Sequence, residues 1–354
     1  MQNLLSELDQ YDYDLPRHLI AQAPAEQRTD ARLLLVDRAE DRLSHHRVRD
    51  LPELLRAEDC LVINDSRVIP ARLIGYRTAT GGRWEGLFLE QSPDGQGLWH
   101  VLGRTRGRIA AGETVTLRDP RGRDDVTLEM AARQPDGSWV VRPRSDEPTL
   151  AILQRVGRVP LPPYVRGGRM RAADRQDYQT VYARVPGSVA APTAGLHYTH
   201  ALLCRLQAKG VKVCRLTLHV GPGTFRPITA ASLDAHRMHA EWGSIDAGTV
   251  EALETCRRRG GRIVAVGTTS TRLLETAARG GALRPFSGHT DLFIRPPFEF
   301  HAVDALMTNF HLPRTTLLVL VRTFGGDALI RRAYETAIER QYRFYSYGDA
   351  MLIV

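Results

Sequence analysis

The sequence has few cysteines, almost no lysine and no long apolar run, and each absence narrows the class of protein. Its four cysteines form no Cys-x-x-Cys pair, so we expect structural thiols rather than a zinc site or disulfides. No window approaches about 18 consecutive apolar residues, and the acidic, polar amino-terminal stretch is unlike a secretory signal. We therefore expect a cytoplasmic protein with no membrane span and no bound metal.

Only two of the 48 basic residues are lysines, Lys209 and Lys212, so arginine carries the formal net charge of +8. Arginine suits bidentate phosphate contacts. A GC-rich genome, however, also encodes arginine at positions where any positively charged residue would be sufficient. Residues 154–187 favour the first interpretation, because they hold seven arginines against two acidic residues. This basic stretch is a candidate phosphate-contacting surface, although a solvated basic loop has the same pattern. Its candidate RNA-binding residues are Arg158, Arg166, Arg169 and Arg171.

The 354 residues suggest two domains. From Leu73 to Arg144, short apolar runs alternate with Gly, Pro and Asp turns, which is typical of about six strands in a small β-barrel. Elsewhere strands alternate with helices, so we predict an α/β fold with a three-layer α/β large domain. The predicted large domain is residues 1–72 and 149–354, and the inserted all-β barrel domain is residues 73–148. The barrel's charges nearly cancel, so an RNA clamp and a purely architectural barrel both stay open.

Turn and capping signals place the individual elements. In the amino-terminal part they predict a helix from Asp14 to Ile20, a hairpin of Ala31 to Val36 with Leu43 to Val48, a buried strand from Cys60 to Ile63, and helices from Leu150 to Val156 and from Asp174 to Tyr182. In the remainder they predict a helix capped by Thr199, a hydroxyl-rich turn from Gly267 to Ser270, helices from Thr249 to Arg259, Thr271 to Ala278 and Ala328 to Tyr342, and strands from Arg262 to Val266, Asp291 to Ile294 and Ala350 to Ile353.

Polar residues cluster where the predicted buried strands end, and α/β folds build ligand sites at such positions. Asn64, Asp65 and Arg67 follow one strand, although Asn and Asp side chains also stabilise ordinary turns. Two glycine-rich loops flank the helix and strand of residues 187–227. The polar and glycine residues of these two loops that we single out are Thr193, Gly195, His197, Gly223 and Thr224.

Two further polar segments could bind ligands. Thr268, Thr269 and Ser270 lie in a strand-to-helix turn, which presents amides to an anion but is also an ordinary helix cap. The second segment contains Asn309 and His311. Neither the hydroxyl-rich turn nor the glycine loops carry a P-loop lysine or a complete dinucleotide fingerprint, so a nucleoside-triphosphatase and a nicotinamide enzyme are unsupported.

One His/Glu cluster has the ligand types of a metal site but not the spacing. His236, His239 and Glu241 do not have the spacing of a zinc-binding helix, and a single helix or strand face would not direct all three inward. We therefore expect no metal here.

The residues GSVAAPTAGLHYT, LTLHVGPGTFRP, VAVGTTSTRLLE and TNFHLPRTTLL resemble the S-adenosylmethionine:tRNA ribosyltransferase-isomerase family of queuosine biosynthesis. The resemblance runs from YDYDLPRHLIAQAP near the start to YRFYSYGDAMLI near the end, and it is weakest between about Arg77 and Pro148. The block at residues 64–72 also resembles a family motif, with Ser66 at a Thr/Ser position.

The resemblance implies transfer and isomerisation of the ribosyl part of S-adenosylmethionine onto an aminomethyl-deazaguanine at the tRNA wobble position, with release of adenine and methionine. It implies a tRNA with a GUN-type anticodon as partner, S-adenosylmethionine consumed as a cosubstrate and no resident cofactor. We further expect a monomeric enzyme. The candidate catalytic residues are then Asp65, Glu241, His197 and His311. The candidate substrate-binding residues are Asn64, Arg67, Thr193, Gly195, Gly223, Thr224, Thr268, Thr269, Ser270 and Asn309.

Two other classes remain as alternatives. A non-catalytic RNA-binding module needs the basic stretch and the barrel but not several polar loops at strand ends. A small-molecule nucleotide hydrolase needs those loops but no RNA. Adenine release that depends on the modified tRNA separates all three hypotheses.

Overall fold

The computed structural model describes residues 7–92, 97–223 and 227–354. Its strands are β1 (Arg32–Asp37), β2 (Arg42–Arg47), β3 (Cys60–Asn64), β4 (Ser66–Val68), β5 (Arg72–Arg77), β6 (Arg83–Gln91), β7 (Trp99–Thr105), β8 (Thr114–Arg118), β9 (Asp124–Arg133), β10 (Trp139–Pro143), β11 (Val185–Ser188), β12 (Lys212–Leu218), β13 (Glu241–Ile245), β14 (Ile263–Val266), β15 (Phe286–Thr290), β16 (Ala305–Asn309) and β17 (Ala350–Ile353). Its helices are α1 (Leu51–Leu54), α2 (Thr149–Val156), α3 (Asp174–Asp177), α4 (His200–Ala208), α5 (Ala247–Arg258), α6 (Thr268–Ala277), α7 (Thr316–Gly325) and α8 (Asp327–Glu339).

A nine-stranded sheet forms the centre of the fold, in the order β15-β13-β12-β3-β14-β16-β17-β1-β2. Its four inner strands β12, β3, β14 and β16 are mutually parallel, while β13 and β17 join them antiparallel on either side. Every residue of β3, β14, β16 and β17 is buried, as expected for strands covered on both faces. The parallel strands therefore direct their carboxyl ends to one edge of the sheet.

Apolar side chains alternate between the two faces of this sheet and pack under different helices. Val62 of β3 packs in the core that contains side chains of α5 to α8, such as Leu253 and Ile330. Ile63 faces the opposite core, which contains Leu202 and Leu206 of α4. The predicted three-layer α/β arrangement is confirmed.

Strands β5 to β10 close into a six-stranded antiparallel barrel, in the order β10-β7-β6-β5-β8-β9. Large apolar side chains fill it, including Trp84 and Trp99, and Trp99 meets the ring of Phe88 edge-on at 5.3 Å between centroids. Side chains of α2 belong to the same core, so this helix packs against the barrel. The predicted all-β barrel is confirmed, whereas the exact division of the chain into two domains stays a prediction.

The predictions for the β1–β2 hairpin, the last strand and the cap of α4 are also confirmed. β1 and β2 form the expected hairpin, and β17 has the predicted bounds. Thr199 caps α4, because its hydroxyl accepts a hydrogen bond from the Leu202 amide. All four cysteines are free thiols, three of them buried and Cys204 exposed. Among the helices of the described residues, none has both the length and the apolar character needed to span a membrane.

Two predicted helices are wrong in extent. Instead of a helix from Asp14 to Ile20, a single 3-10 turn forms at Arg17–Leu19 without a side-chain cap. The backbone on its carboxyl side pairs with Phe344, which donates to the Leu19 carbonyl and accepts from the Ala21 amide, so the helix does not continue. The helix predicted from Asp174 to Tyr182 is also one turn only, α3.

The predicted strand from Asp291 to Ile294 is wrong, since β15 ends at Thr290. The carbonyl groups of Thr290 and Leu292 accept hydrogen bonds from the Arg272 guanidinium at 3.4 and 3.0 Å, so a side chain takes the place of a neighbouring strand. The hydroxyl-rich turn is also corrected, because α6 already begins at Thr268. Gly267, with a φ of +89°, makes the bend before it.

Candidate active site

Five of the predicted site residues line one narrow crevice of about 20 Å³ at the carboxyl edge of the sheet. They come from the end of β16, from the start of α6 after β14, and from the 3-10 helix Thr193–His197. This is the edge where α/β folds place ligand sites. These lining residues are Thr193, Thr268, Thr269, Asn309 and His311.

A larger cavity of about 580 Å³ adjoins the crevice along α7, because Thr316 lines the cavity and its neighbour Leu317 lines the crevice. Gly223, His236 and His239 also line the larger cavity. A volume of this size suits a nucleoside-sized ligand. The crevice and the cavity together therefore define the candidate active site.

Asn309 organises the crevice through a network of hydrogen bonds. Its Oδ1 accepts from the Thr193 hydroxyl at 2.9 Å, and its Nδ2 donates to the Tyr345 carbonyl at 3.3 Å. The same Nδ2 lies 3.2 Å from Nε2 of His197, which must therefore accept and carry its proton on Nδ1. Burial, followed by the charges of Arg28 and Arg343, lowers the pKa of His197 to about 4. His197 is consequently a neutral, fixed ring behind the crevice rather than on its wall.

His311 lies on the crevice wall and is also neutral at physiological pH. Burial lowers its pKa to about 3. Its Nε2 is 2.8 Å from the Thr308 hydroxyl, and its backbone amide donates to the Tyr334 hydroxyl at 2.9 Å. A neutral histidine offers one N–H donor and one ring-nitrogen acceptor for hydrogen bonds, and His311 presents this ring to the crevice.

The amino end of α6 faces the crevice without a side-chain cap. The first amides of a helix have no partner inside the helix, and the helix dipole adds a partial positive charge there. The Thr269 hydroxyl accepts from Nδ2 of Asn64 at 3.3 Å, whereas the Ser270 hydroxyl donates back to the Val266 carbonyl at 2.8 Å. The amides of this end can hold an anion such as a carboxylate, but the Ser270 side chain points into its own helix.

Asn64 and Asp65 connect β3 to neighbouring elements and line neither cavity. Asn64 donates to the Leu218 carbonyl at 2.9 Å and accepts from the Leu218 amide at 3.0 Å, so it ties β3 to β12. The fully buried Asp65 accepts from the Thr217 hydroxyl at 2.7 Å and pairs with Arg184 at 3.0 Å. Because the Arg184 side chain is 70% exposed, this ion pair can open to solvent.

Glu241 lies in a closed network at the start of β13. One carboxylate oxygen accepts from the Gly221 amide at 2.7 Å, and the other pairs with Arg272. The side chains of both partners of this ion pair are at most 3% exposed. Glu241 therefore anchors the glycine loop after β12, and the arrangement leaves it less suited than Asp65 to act as a base.

The two predicted glycines have steric reasons to be glycine. A Cβ atom on Gly195 would lie 2.0 Å from the Tyr182 hydroxyl, and one on Gly223 would lie 2.1 Å from the His239 ring. Both glycines thus permit close packing at the site. Thr224, predicted to bind substrate, lies outside the described residues.

The described residues contain no group of three or more His, Cys, Asp or Glu side chains that could hold a metal ion. His236, His239 and Glu241 accordingly do not form such a group. The absence of a metal and of a resident cofactor from the reaction stays a prediction.

The predicted RNA-binding arginines divide into two groups. Arg158 donates to the carbonyls of Arg118 and Asp119, and Nη2 of Arg166 contacts both carboxylate oxygens of Asp174 at 2.6 and 2.7 Å. Arg169 and Arg171 are exposed, and no hydrogen bond joins either side chain to another described residue. Arg158 and Arg166 are therefore engaged in contacts within the protein, whereas Arg169 and Arg171 are better placed to bind phosphate.

Sequence reasoning missed three residues of the site. Arg184 is the partner of Asp65, and Tyr345 supplies the carbonyl that orients Asn309 from a left-handed backbone with φ of +74°. His219 follows β12 directly and stacks on Trp242 at 5.3 Å, while its buried Nδ1 has no hydrogen-bond partner in the described part of the chain. The position of His219 immediately after a buried strand was the available signal, because the same rule identified Asn64.

The fold and the site define an α/β enzyme with a nucleoside-sized pocket at the carboxyl ends of parallel strands. A family model described as queuosine biosynthesis protein matches residues 8–353. The chain belongs to this family.

Similar proteins agree with this assignment. A relative from Anaeromyxobacter sp. (strain K) is 49% identical over 98% of this chain and 99% of its own length. One from Methylobacterium sp. (strain 4-46) is 50% identical over 98% of both chains. Both are named S-adenosylmethionine:tRNA ribosyltransferase-isomerase. A crystal structure of S-adenosylmethionine tRNA ribosyltransferase from Thermotoga maritima is 35% identical, with a TM-score of 0.55 over 98% of this chain and 100% of that chain.

Proposed function

We propose that this chain is a transferase that moves the ribosyl group of S-adenosylmethionine onto the aminomethyl-deazaguanine at the wobble position of tRNA. The ribosyl group is isomerised in the reaction, which gives epoxyqueuosine-tRNA and releases adenine and methionine. The observation that carries the proposal is the crevice at the carboxyl edge of the sheet, where residues from three segments converge in a chain that matches the family along almost its whole length.

The chemistry needs a base for the ribose C5′ hydrogen, which the adjacent sulfonium acidifies. Asp65 is the base in our proposal. It lines neither cavity, but it directly follows Asn64, whose side chain contacts Thr269 of the crevice wall. Its ion pair with Arg184 can open to solvent, whereas the pair of Glu241 with Arg272 is closed. Opening would free one carboxylate oxygen, while the Thr217 hydroxyl continues to hold the other.

Departure of adenine needs a proton donor or a hydrogen bond at the leaving base. His311 suits the hydrogen-bonding role, since it is a neutral histidine on the crevice wall. His197 supports the site from behind through Asn309, and we assign it a positioning role.

The amino end of α6 would hold the carboxylate of the methionine part, because its amides are uncapped at the crevice. The adjoining cavity has room for the nucleoside part. The cosubstrate is consumed, and no resident cofactor takes part in this proposal. We further propose a GUN-type anticodon in the partner tRNA, a monomeric enzyme and, because the substrate is a tRNA, action in the cytoplasm.

The test is adenine release measured by chromatography. The protein should release adenine from S-adenosylmethionine when tRNA carrying the aminomethyl-deazaguanine is present, and none with tRNA carrying guanine at that position. Release should continue in the presence of a metal chelator. Adenine formed equally well without tRNA would instead indicate a nucleotide hydrolase.

A further inference from the structure

A second cleft, of about 460 Å³, lies beside the segment that leads from β4 into the first barrel strand, β5. It shares no lining residue with the crevice. Three parts of the fold surround the cleft, namely β4 with the residues after it, α2, and the segment from α3 to β11. The lining residues that determine its chemistry are Arg67, Val68, Leu150, Arg175 and Gln179.

This cleft carries positive charge without compensation. Two arginines, Arg67 and Arg175, line it together with no Asp or Glu. Both are exposed, and neither guanidinium has a hydrogen bond or ion pair with another residue in the described ranges. Arg158 and Arg166, by contrast, are occupied with internal partners.

Local structure fixes one of these arginines in an outward position. In β4, Ser66 and Val68 are buried and Arg67 between them is exposed, as the alternation of a strand requires. The Gln179 side chain holds β4 in place, since it accepts from the Val68 amide at 3.1 Å and donates to the Val68 carbonyl at 3.2 Å. Gln179 lies two residues after α3, the helix that contains Arg175. The contact between Gln179 and Val68 therefore also positions Arg175 at the cleft.

An apolar side chain lies beside these charges. Leu150 of α2 is 41% exposed, and it is the single large hydrophobic residue with such exposure in the part of the chain that the structure describes. Cationic and apolar groups side by side match a nucleotide of a single-stranded region, which presents a phosphate and an unstacked base.

We propose that this cleft binds the tRNA chain, with Arg67 and Arg175 on backbone phosphates and Leu150 against an unpaired base. The proposal rests on the proposed function, which supplies the tRNA. It also assigns Arg67 to the tRNA rather than to the cosubstrate. The cleft lies at the carboxyl edge of the sheet, where the active site forms, because a single residue separates the end of β3 from the start of β4.

The experiment compares two double variants of equal charge change. Arg67→Gln with Arg175→Gln removes both cleft cations. The matched control is Arg259→Gln with Arg284→Gln, which removes two exposed arginines near the opposite edge of the sheet, at the end of α5 and before β15. The Kd for tRNA carrying the aminomethyl-deazaguanine is measured over a series of salt concentrations, and the KM for S-adenosylmethionine is measured by adenine release.

We expect the cleft variant to raise the Kd on the order of tenfold, because hydrogen bonds to charged groups are lost. Its salt slope should flatten by about 0.7 for each lost phosphate contact, while the KM for S-adenosylmethionine stays near that of the unmodified protein. The control variant should keep the original slope. A cleft variant with an unchanged slope, or with a raised KM for S-adenosylmethionine alone, would overturn the proposal.

The base contact has its own variant, Leu150→Gln. It should raise the Kd without changing the salt slope, since no charge is removed, and an unchanged Kd would overturn this contact. Failure of the proposed function would be recognised separately, because the unmodified protein would then release no adenine with the modified tRNA.

Discussion

The barrel and the carboxyl edge of the large sheet bury different kinds of side chain. From β5 to β10, the buried polar residues among those described are Thr116, Asp119 and Ser138, and large apolar side chains fill the remainder of the core. At the sheet edge, by contrast, buried polar residues follow one strand after another. They include Asn64, Asp65, His197, Thr268, Asn309 and His311.

The difference shows which region is built for stability and which for chemistry. A buried polar group costs free energy unless it is hydrogen-bonded, so the edge needs a network in which each group has a partner. The barrel needs only well-packed apolar side chains. Substitutions at the edge should therefore affect turnover or specific ion pairs, whereas substitutions in the barrel should affect stability alone.

The largest effect is expected for Asp65→Asn. Asparagine retains the size and an oxygen that accepts from the Thr217 hydroxyl, while the exposed Arg184 can be hydrated. The free energy of unfolding should change little, and the single-turnover rate should fall by roughly 10²- to 10⁴-fold, as for loss of a general base. Rapid-quench measurement of adenine, together with thermal melting, checks both expectations.

The control for this prediction is Arg184→Gln, which opens the ion pair and leaves the carboxylate in place. It should retain most of the single-turnover rate. If a folded Asp65→Asn protein reacts as fast as the unmodified one, Asp65 is not the base and Glu241 becomes the first candidate.

The next largest effect is on stability, for Glu241→Gln. The substitution leaves the buried Arg272 charge without its carboxylate, which costs about 3 to 5 kcal/mol when a buried ion pair is broken. The matched control is Glu129→Gln in the barrel, whose partner Arg144 is 59% exposed, and there the cost should be below about 1 kcal/mol. Urea denaturation measures both. A Glu241→Gln protein of normal stability with no turnover would show that Glu241 acts in the chemistry.

An intermediate effect is expected from pH. Both His197 and His311 have a pKa in the fold below the unfolded value of about 6.5, so the fold favours their neutral forms. Their contribution to stability is complete above pH 6.5 and is lost as the pH falls toward 4 and 3. Between pH 7 and pH 5, each histidine should lower the free energy of unfolding by about 2 kcal/mol.

Urea denaturation of the unmodified protein and of His311→Gln at the two pH values tests this. The variant should lose about half of the histidine-dependent decrease. An identical decrease in both proteins would show that His311 is protonated as readily in the fold as in the unfolded chain.

The smallest effect is expected where α2 contacts the barrel, for Thr149→Val. The Thr149 hydroxyl accepts from Nε1 of Trp99 at 3.0 Å and donates to Gln91 at 2.8 Å. Valine has the same shape but leaves the indole N–H without this partner, which should cost about 1 kcal/mol. Adenine release by the folded protein should be unchanged. A large loss of turnover would contradict the separation between the two regions.

The sequence predicts the barrel better than the sheet edge for a physical reason. Each barrel strand is marked by its own alternation and its own turn, so local patterns suffice. At the edge, similar local patterns predicted Asn64 at the end of a buried strand and Thr268 in a strand-to-helix turn. They could not identify the partners of Asp65 and Glu241, because those ion pairs join segments far apart in sequence.

The local errors have the same origin. The segment after β15 has an apolar pattern typical of a strand, but its carbonyl groups bind the Arg272 side chain instead. The 3-10 turn at Arg17–Leu19 replaces a predicted helix because the adjoining backbone pairs with Phe344. In both places a residue distant in sequence determines the backbone conformation. The sequence of the segment alone does not identify that residue.

The position of β17 has a consequence for how the protein is made. This strand lies between β16 and β1, so the hairpin of β1 and β2 cannot join the main sheet until β17 has left the ribosome. Roughly 300 residues of synthesis separate the two events, and contacts of such sequence separation form late. The newly made hairpin therefore exposes the unpaired edge of β1 during translation. This edge can pair with a wrong strand until β17 is available.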